Sequence, residues 1–573
     1  MSMDELWPTS GQMKRLTAII NSKSSTGSQE ALDATFQSIL DGTNTSKVFR
    51  QWWPLSATGS NTKYERLSRF ADMLSAMWAD KKYTLQYYLP SVSTSSAMTP
   101  MDDLVGKNAA QLCYETTTPV EDWADEDPMT WYVRANALSL QDGTMNILSI
   151  EGIDADFDIT GETAPVYTFS VALWLKKWKD QSYAYKSWAT KNHGGYRPYA
   201  GDVGLDNKKR SLTWHPSFPG GLNSDGGLTS GLGLKPCLWT SATSALTLAR
   251  KVTAYEGLWN DSDAIWVLDM WQLRHFNLEN SLICEGCQSY NYQYRPALEE
   301  TGVKRVLLTP AQAANLIVGS NMELGEQDGQ SSPSNDRYYA YNYSICKYAK
   351  ITSIESVTIE DTTYAAVYLD VDSTFNTTAT CLFSTMPWDS GVTDELPGHK
   401  DGTLGGALGI AMTVGKFPLR VMGVEMMSGA YDIGLDPLYN VTNFANSKGD
   451  YAVYECRDSE NLAGSITSDY VDTGITYTEM PQGWNYPKSF VDTDLAILFP
   501  DTLGGSTSGY VKSGFYGTYS AGVRCPWRYG TLNVGAAAGL ACGNGDNAPG
   551  YAGWNGRPRL CGSGKKRGEW AGA

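Results

Sequence analysis

The sequence predicts an α+β protein with a helical N-terminal region, a β-rich middle and a large C-terminal body that ends in loops. Three observations carry this. Before residue 90, apolar residues recur at helical spacing, as in Leu67, Phe70, Leu74, Met77 and Trp78. From Thr144 onward, alternating or continuous apolar runs are broken by Gly and Asp, the pattern of strands. Between Ser513 and Gly564 there is no Lys, Glu, Gln or Met, while Gly, Ala, Asn, Tyr and Arg dominate. That segment lacks both the straight-chain residues a helix wants and the β-branched runs a strand wants. It therefore reads as irregular backbone held by anchors, namely Trp527, Leu540, Trp554, Asn555, Arg559 and Leu560.

Taken in order, residues 1–90 form a helical attachment or oligomerisation region. Leu32, Phe36, Ile39 and Leu40 add a second helical stripe, with breaks at 42–46 and 56–61. Residues 91–190 are a linker and β-rich region. Ser91–Pro100 is Ser/Thr-rich and suits a linker or extended arm. An acidic stretch (Glu121 to Trp131) follows, and MNILSIEG, FDITG and VYTFSVALWL read as strands. The body spans 191–573. Leu246, Ala249 and Val252 mark a short core helix, and Asp261 or Ser262 caps a longer one, Ala264 to Phe276, with Leu268, Trp271 and Leu273 inward. Thr309 and Pro310 start a third helix running through Val318. A β insertion occupies about 335–400, and strands are expected at Phe417 to Met427 and Asp494 to Phe499.

Composition narrows the function. A chain of 573 residues with 42% hydrophobic residues builds several cores. A net charge of −17 argues against a nucleic-acid partner, which needs a basic footprint. No run of eighteen apolar residues exists, so no membrane insertion is expected. MSMDELWPTS lacks the features of a secretory signal, so work outside a cell implies release by lysis or carriage on a particle. The 19 Trp and 34 Tyr suit surface recognition. The ten cysteines lack framework spacing and read as free buried thiols, the lone Cys284/Cys287 pair included. Four histidines and the absence of nucleophile-elbow, zinc-protease or phosphate-loop motifs leave no catalytic set to name. Asp202, Asp206, Asp225, Asp261 and Asp263 lie in stretches that can supply calcium ligands, but none has EF-hand spacing. No cofactor is expected, and a structural calcium is the one metal left open.

The residue set of the last segment also has a reading in codons. Randomising both leading adenines of an AAC codon yields Asn, Asp, Ser, Gly, Ala, Tyr, Thr, Pro and Arg, among others. It never yields Lys, Glu, Gln, Met or Trp. AGLACGNGDNAP followed by GYAGWNGRPRLCGSG resembles the variable region of diversity-generating retroelement proteins of phages and prophages. His215 to Phe218, WVLDMWQLRHFN, Asn280 to Ile283, and Gly423 to Glu425 with Ser428 and Gly429 are similar to earlier elements of that family, although two Asn of its pattern are absent. The similarity runs from about Tyr196 to Trp570. It implies a C-type-lectin fold of the formylglycine-generating-enzyme type for the body. It also implies display positions at Tyr529, Asn533, Ala537, Gly543, Asn544, Gly545, Asp546, Gly550, Tyr551, Gly553, Gly556 and Pro558, within a display region of about 527–560. Trp527, Trp554, Asn555 and Arg559 are implied scaffold, and Tyr529 and Tyr551 the aromatic hot spots. Arg557 stands where the family has a small residue, which unsettles the register of Gly556 to Pro558.

The expectation is a virion receptor-binding protein, not an enzyme. Its N-terminal region would attach to other virion proteins, and a homo-oligomer would present several copies to a bacterial cell-surface protein or glycan. The alternatives are an invariant structural virion protein, in a capsid decoration or tail, and an enzyme of the formylglycine-generating type. In the enzyme, Cys542 or Cys561 would react; otherwise both are small core residues.

Overall fold

The computed structural model describes residues 45–56, 62–113, 123–124, 127–396, 398, 400–491, 496–507, 509–562 and 570. The helical stripe at Leu32 to Leu40 and the acid-rich start of the 121–131 stretch lie outside these residues. Two helices open the described chain, Thr45–Leu55 (α1) and Lys63–Met77 (α2). Thr62 and Glu65 cap α2 reciprocally: the Thr62 hydroxyl accepts from the Glu65 amide and the Glu65 carboxylate from the Thr62 amide. Leu67, Phe70 and Leu74 are buried, as their spacing predicts. Phe49 of α1, Phe70 of α2 and Trp131 stack edge to face at 5.0–5.3 Å, so the helices are docked on the body.

The boundaries expected near 90 and 190 cut through one sheet. Strand Tyr83–Tyr88 pairs with Thr99–Asp102 on one side and Tyr183–Ala189 on the other, and Trp174–Lys179 and Arg197–Pro198 complete five strands. Ser91–Pro100 is thus no free linker, because Met98 is buried and its amide donates to the Phe276 carbonyl. A second, four-stranded sheet holds Met145–Ile150, Tyr132–Ser139, Val166–Val171 and Leu212–Pro216. FDITG, expected as a strand, forms turns instead.

Helices Ala242–Ala249 (α3) and Asp261–His275 (α4) follow. The cap of α4 is Asn260, not Asp261 or Ser262; its side chain accepts from the Asp263 amide at 2.9 Å. Every residue of α4 is buried, so it has no solvent face. Burying charges on all sides requires a partner for each. Asp269 takes Lys186, Asp263 takes His215, Asp261 takes Arg528, and Arg274 and His275 share Asp401. Those partners come from segments scattered over the chain, which makes α4 its hub.

The β insertion begins earlier than the sequence pattern suggests. Gln293–Tyr294, Arg305–Leu308, Asn321–Glu326, Cys346–Ile359, Thr362–Leu369 and Cys381–Thr385 make a six-stranded sheet. It has its own small core, with Val306, Leu324, Ile351, Val367 and Phe383. The third helix is one turn, Pro310–Ala313, closed by a Thr309/Gln312 capping box. Phe417 to Met427 resolves into two short strands, Leu419–Val421 and Val424–Met426. The expected strand at 494–499 starts only at Phe499 and runs to Leu503. The whole is a β-rich α+β fold.

Candidate ligand-binding surface

The C-terminal segment is threaded through the central sheet in very short strands. Trp527–Arg528 and Gly556–Pro558 flank Tyr431–Asp436 on its two edges, the first antiparallel and the second parallel. Gly543–Asn544 then joins Trp527–Arg528 to Phe515–Gly517, and Gly483–Asn485 ends the sheet. Strands of two or three residues have little ladder of their own, so side chains must hold them.

Three buried arginines do so. Arg528 grips Asp261 with two nitrogens and also donates to the Leu498 carbonyl at 2.7 Å and the Tyr439 hydroxyl at 3.1 Å. Arg559 pairs with Asp432 at 2.7 Å and donates to the carbonyls of Pro216 and Glu425. Among the described residues Arg557 makes no ion pair: its Nε donates to the Gly220 carbonyl at 2.7 Å and its Nη1 to the Trp388 carbonyl at 2.8 Å. Burial pushes the Arg557 guanidinium down to about 10, which still leaves it charged at neutral pH. Arg557 is thus fixed in place by main-chain carbonyls.

This threading decides which implied display positions reach solvent. Asn533, Gly550 and Tyr551 are exposed, and Asp546 is half-buried. The other eight are buried: Tyr529, Ala537, Gly543, Asn544, Gly545, Gly553, Gly556 and Pro558. Tyr529, expected as a hot spot, is wholly inside; its backbone sits at φ 79° and its hydroxyl accepts from the Trp259 indole at 2.9 Å. The glycines are constrained by contact as well. A Cβ on Gly543 would lie 2.7 Å from Arg528, on Gly545 2.7 Å from Phe515, on Gly553 2.6 Å from Asn555, and on Gly556 2.5 Å from Trp527. A Cβ on Gly550 meets nothing within 4 Å. Of the implied scaffold, Trp527, Trp554 and Arg559 are buried and Asn555 is half-buried.

Around the exposed positions stands a set of tyrosines that sequence reasoning passed over. Tyr519 is 50% exposed, and its hydroxyl receives that of Tyr516 at 3.1 Å. Trp484 packs edge-on against Tyr516 at 5.0 Å. Asp546 accepts from the Tyr519 amide at 3.0 Å and stands within electrostatic reach of Tyr551. Burial first, then Asp336, Tyr338 and Asp546, raise the Tyr551 phenol above its usual range. The Tyr551 ring leans on buried Trp527 at 5.6 Å, leaving its outer part in solvent. Tyr338 and Tyr339 on the insertion are 52% and 45% exposed, and Tyr339 stacks on Tyr341 at 5.2 Å. The YYAYNY run was the available signal for that side of the face.

Hydrogen bonds tie segment 516–519 to segment 543–545. The Gly545 amide donates to the Tyr516 carbonyl, and the Tyr451 hydroxyl joins the Thr518 amide to the Gly545 carbonyl. Large aromatic rings on a fixed frame offer contact area at low entropic cost.

The cysteines Cys284, Cys287, Cys542 and Cys561 are buried. Burial raises the thiols of Cys284, Cys287 and Cys542, and Cys561 Sγ accepts from Asn260 at 3.2 Å. Asp261 and Asp263 are engaged by Arg528 and His215, Asp202 is buried, and Asp206 and Asp225 are exposed. Among the described residues no group of three or more His, Cys, Asp or Glu is placed to hold a metal. No protein-family model and no curated protein matches the chain.

Proposed function

We propose that this chain is a receptor-binding protein of a phage particle, with a C-type-lectin-like body that presents Tyr519, Tyr551, Tyr338 and Tyr339 to a bacterial cell-surface protein or glycan. The observation that carries the reading is the gathering of exposed tyrosines beside Asp546 on loops locked from beneath. Diversification of the kind the retroelement resemblance implies would act on Asn533, Asp546, Gly550 and Tyr551, where a new side chain has room or solvent. Labelled protein is expected to adsorb to intact bacteria of the host strain, and Tyr519→Ala with Tyr551→Ala to abolish adsorption without loss of fold. Equal adsorption by the double variant refutes the assignment of the face.

The burial of eight of the twelve implied positions favours a second reading, an invariant virion component. On that reading the C-terminal segment is a structural closure of the body, and truncation after Pro500 abolishes particle assembly.

A further inference from the structure

A cavity of about 620 Å³ lies between the five-stranded sheet, α4 and the hairpin of Pro487–Val491 and Phe499–Leu503. Ile265 and Leu268 of α4, with Leu498 and Val511, give it apolar wall, and Tyr87 and Tyr510 add aromatic rings. Among the described residues its charged lining is four lysines, Lys177, Lys179, Lys186 and Lys488, and three aspartates, Asp180, Asp269 and Asp501.

Of the aspartates only Asp269 is ion-paired among the described residues, and the other two accept from neutral donors. Asp269 holds Lys186 at 2.5 Å, Asp180 accepts from the Ser182 and Tyr183 amides and the Tyr185 hydroxyl, and Asp501 accepts from Ser489 at 2.8 Å. Lys186 also reaches Gln272 at 2.6 Å, and Lys177 approaches Asp269 at 3.8 Å. Lys179 and Lys488 are exposed and have no hydrogen-bond or ion-pair partner among the described residues. Both lysines line the cavity, so their ammonium groups are within reach of a ligand held there.

We propose that this cavity binds an anionic saccharide, a sugar ring carrying a carboxylate or a phosphate. Lys179 and Lys488 supply charge-assisted hydrogen bonds to the anion. Tyr87 and Tyr510 supply faces for the ring, and Ser91 and Thr502 hydroxyls for its hydroxyl groups. The volume falls within the range of small-molecule sites. An acyl chain fits less well, because the Lys186–Asp269 pair and Gln272 stand in the same wall and would be desolvated against it. The proposal does not depend on the tyrosine face being a receptor site.

Calorimetric titration of the full chain with methyl glucuronide and with glucose 6-phosphate tests it and separates the two anions. Methyl glucoside serves as the neutral control and octanoate as the aliphatic anion. At least one anionic sugar is expected to bind, with affinity falling as salt is added. The Lys179→Gln/Lys488→Gln variant is expected to lose about tenfold or more, the scale of lost charged hydrogen bonds. Its thermal midpoint should be unchanged, and Lys179→Arg/Lys488→Arg should retain binding. Equal binding of methyl glucoside, tighter binding of octanoate, wild-type affinity in the Gln variant, or no binding at millimolar sugar overturns the proposal.

Discussion

Arg528 and Asp261, 267 residues apart, face each other in a two-pronged buried ion pair, Nε to Oδ1 at 2.8 Å and Nη2 to Oδ2 at 2.5 Å. Through it the C-terminal segment is tied to the first turn of the buried helix α4. Removing one partner strands the other charge inside the protein. Arg528→Ala is therefore expected to cost about 3–5 kcal/mol. Arg528→Lys should rescue it only in part, because an ammonium cannot reproduce the fork. Urea unfolding of the two variants checks this; equal stability of Arg528→Ala and wild type contradicts it.

Arg557 predicts a different pattern. Its partners are main-chain carbonyls and the Ser428 hydroxyl, so Arg557→Ala leaves buried acceptors unpaired rather than an opposite charge. Each orphaned acceptor costs about 1–3 kcal/mol. Hydrogen exchange should then rise at Gly220 and Trp388 and in the strand Gly556–Pro558, with α2 unaffected.

Tyr529 and Tyr551, paired as hot spots by the sequence, are predicted to separate. Tyr529→Ala opens a core cavity and should destabilise by about 3–5 kcal/mol, as large aromatic deletions do. Tyr551→Ala should change stability by no more than about 0.5 kcal/mol while weakening ligand binding by about 1 kcal/mol or more. Thermal melts and cell adsorption, measured on the same preparations, distinguish the two.

The pH dependence follows from Glu323, which is buried with both carboxylate oxygens lacking a hydrogen-bond partner among the described residues. Burial pushes its carboxyl up to about 8, against the opposing pull of Arg337 and Lys347. A carboxyl raised in the folded state keeps its proton where the unfolded chain has lost it. Stability is then highest below the unfolded value near 4.5 and falls as pH rises toward about 8. Glu279 and Asp202, raised by burial to about 7 and about 6, act in the same direction. Glu323→Gln should flatten the decline in unfolding free energy across that window; an unchanged slope refutes the assignment.

Much of the architecture was legible because it rests on local pattern. The α2 stripe, the Thr309 cap before Pro310 and the irregular backbone after Ser513 follow from neighbouring residues alone. What was hidden depends on distant partners. Helix α4 carries Asp261, Asp263, Asp269 and Arg274, which mark a solvent face unless Arg528, His215, Lys186 and Asp401 are known to meet them. The burial of Tyr529 was hidden because a two-residue strand, Trp527–Arg528, has no periodicity to read. Tyr519 was missed because exposure is not a property of residue type, and its pairing with Asp546 spans 27 residues of loop.

On the proposed reading, buried arginines and glycines hold a small, changeable exposed face. Sequencing the last two hundred or so bases of the gene across a sibling population, with the flanking DNA, tests it most directly. Substitutions are expected at Asn533, Asp546, Gly550 and Tyr551, with Arg528, Tyr529, Gly543, Gly556, Arg557 and Arg559 unchanged, and a near-copy of the segment differing at adenines nearby. A uniform segment with no such copy, or variation falling on the buried positions, would contradict it.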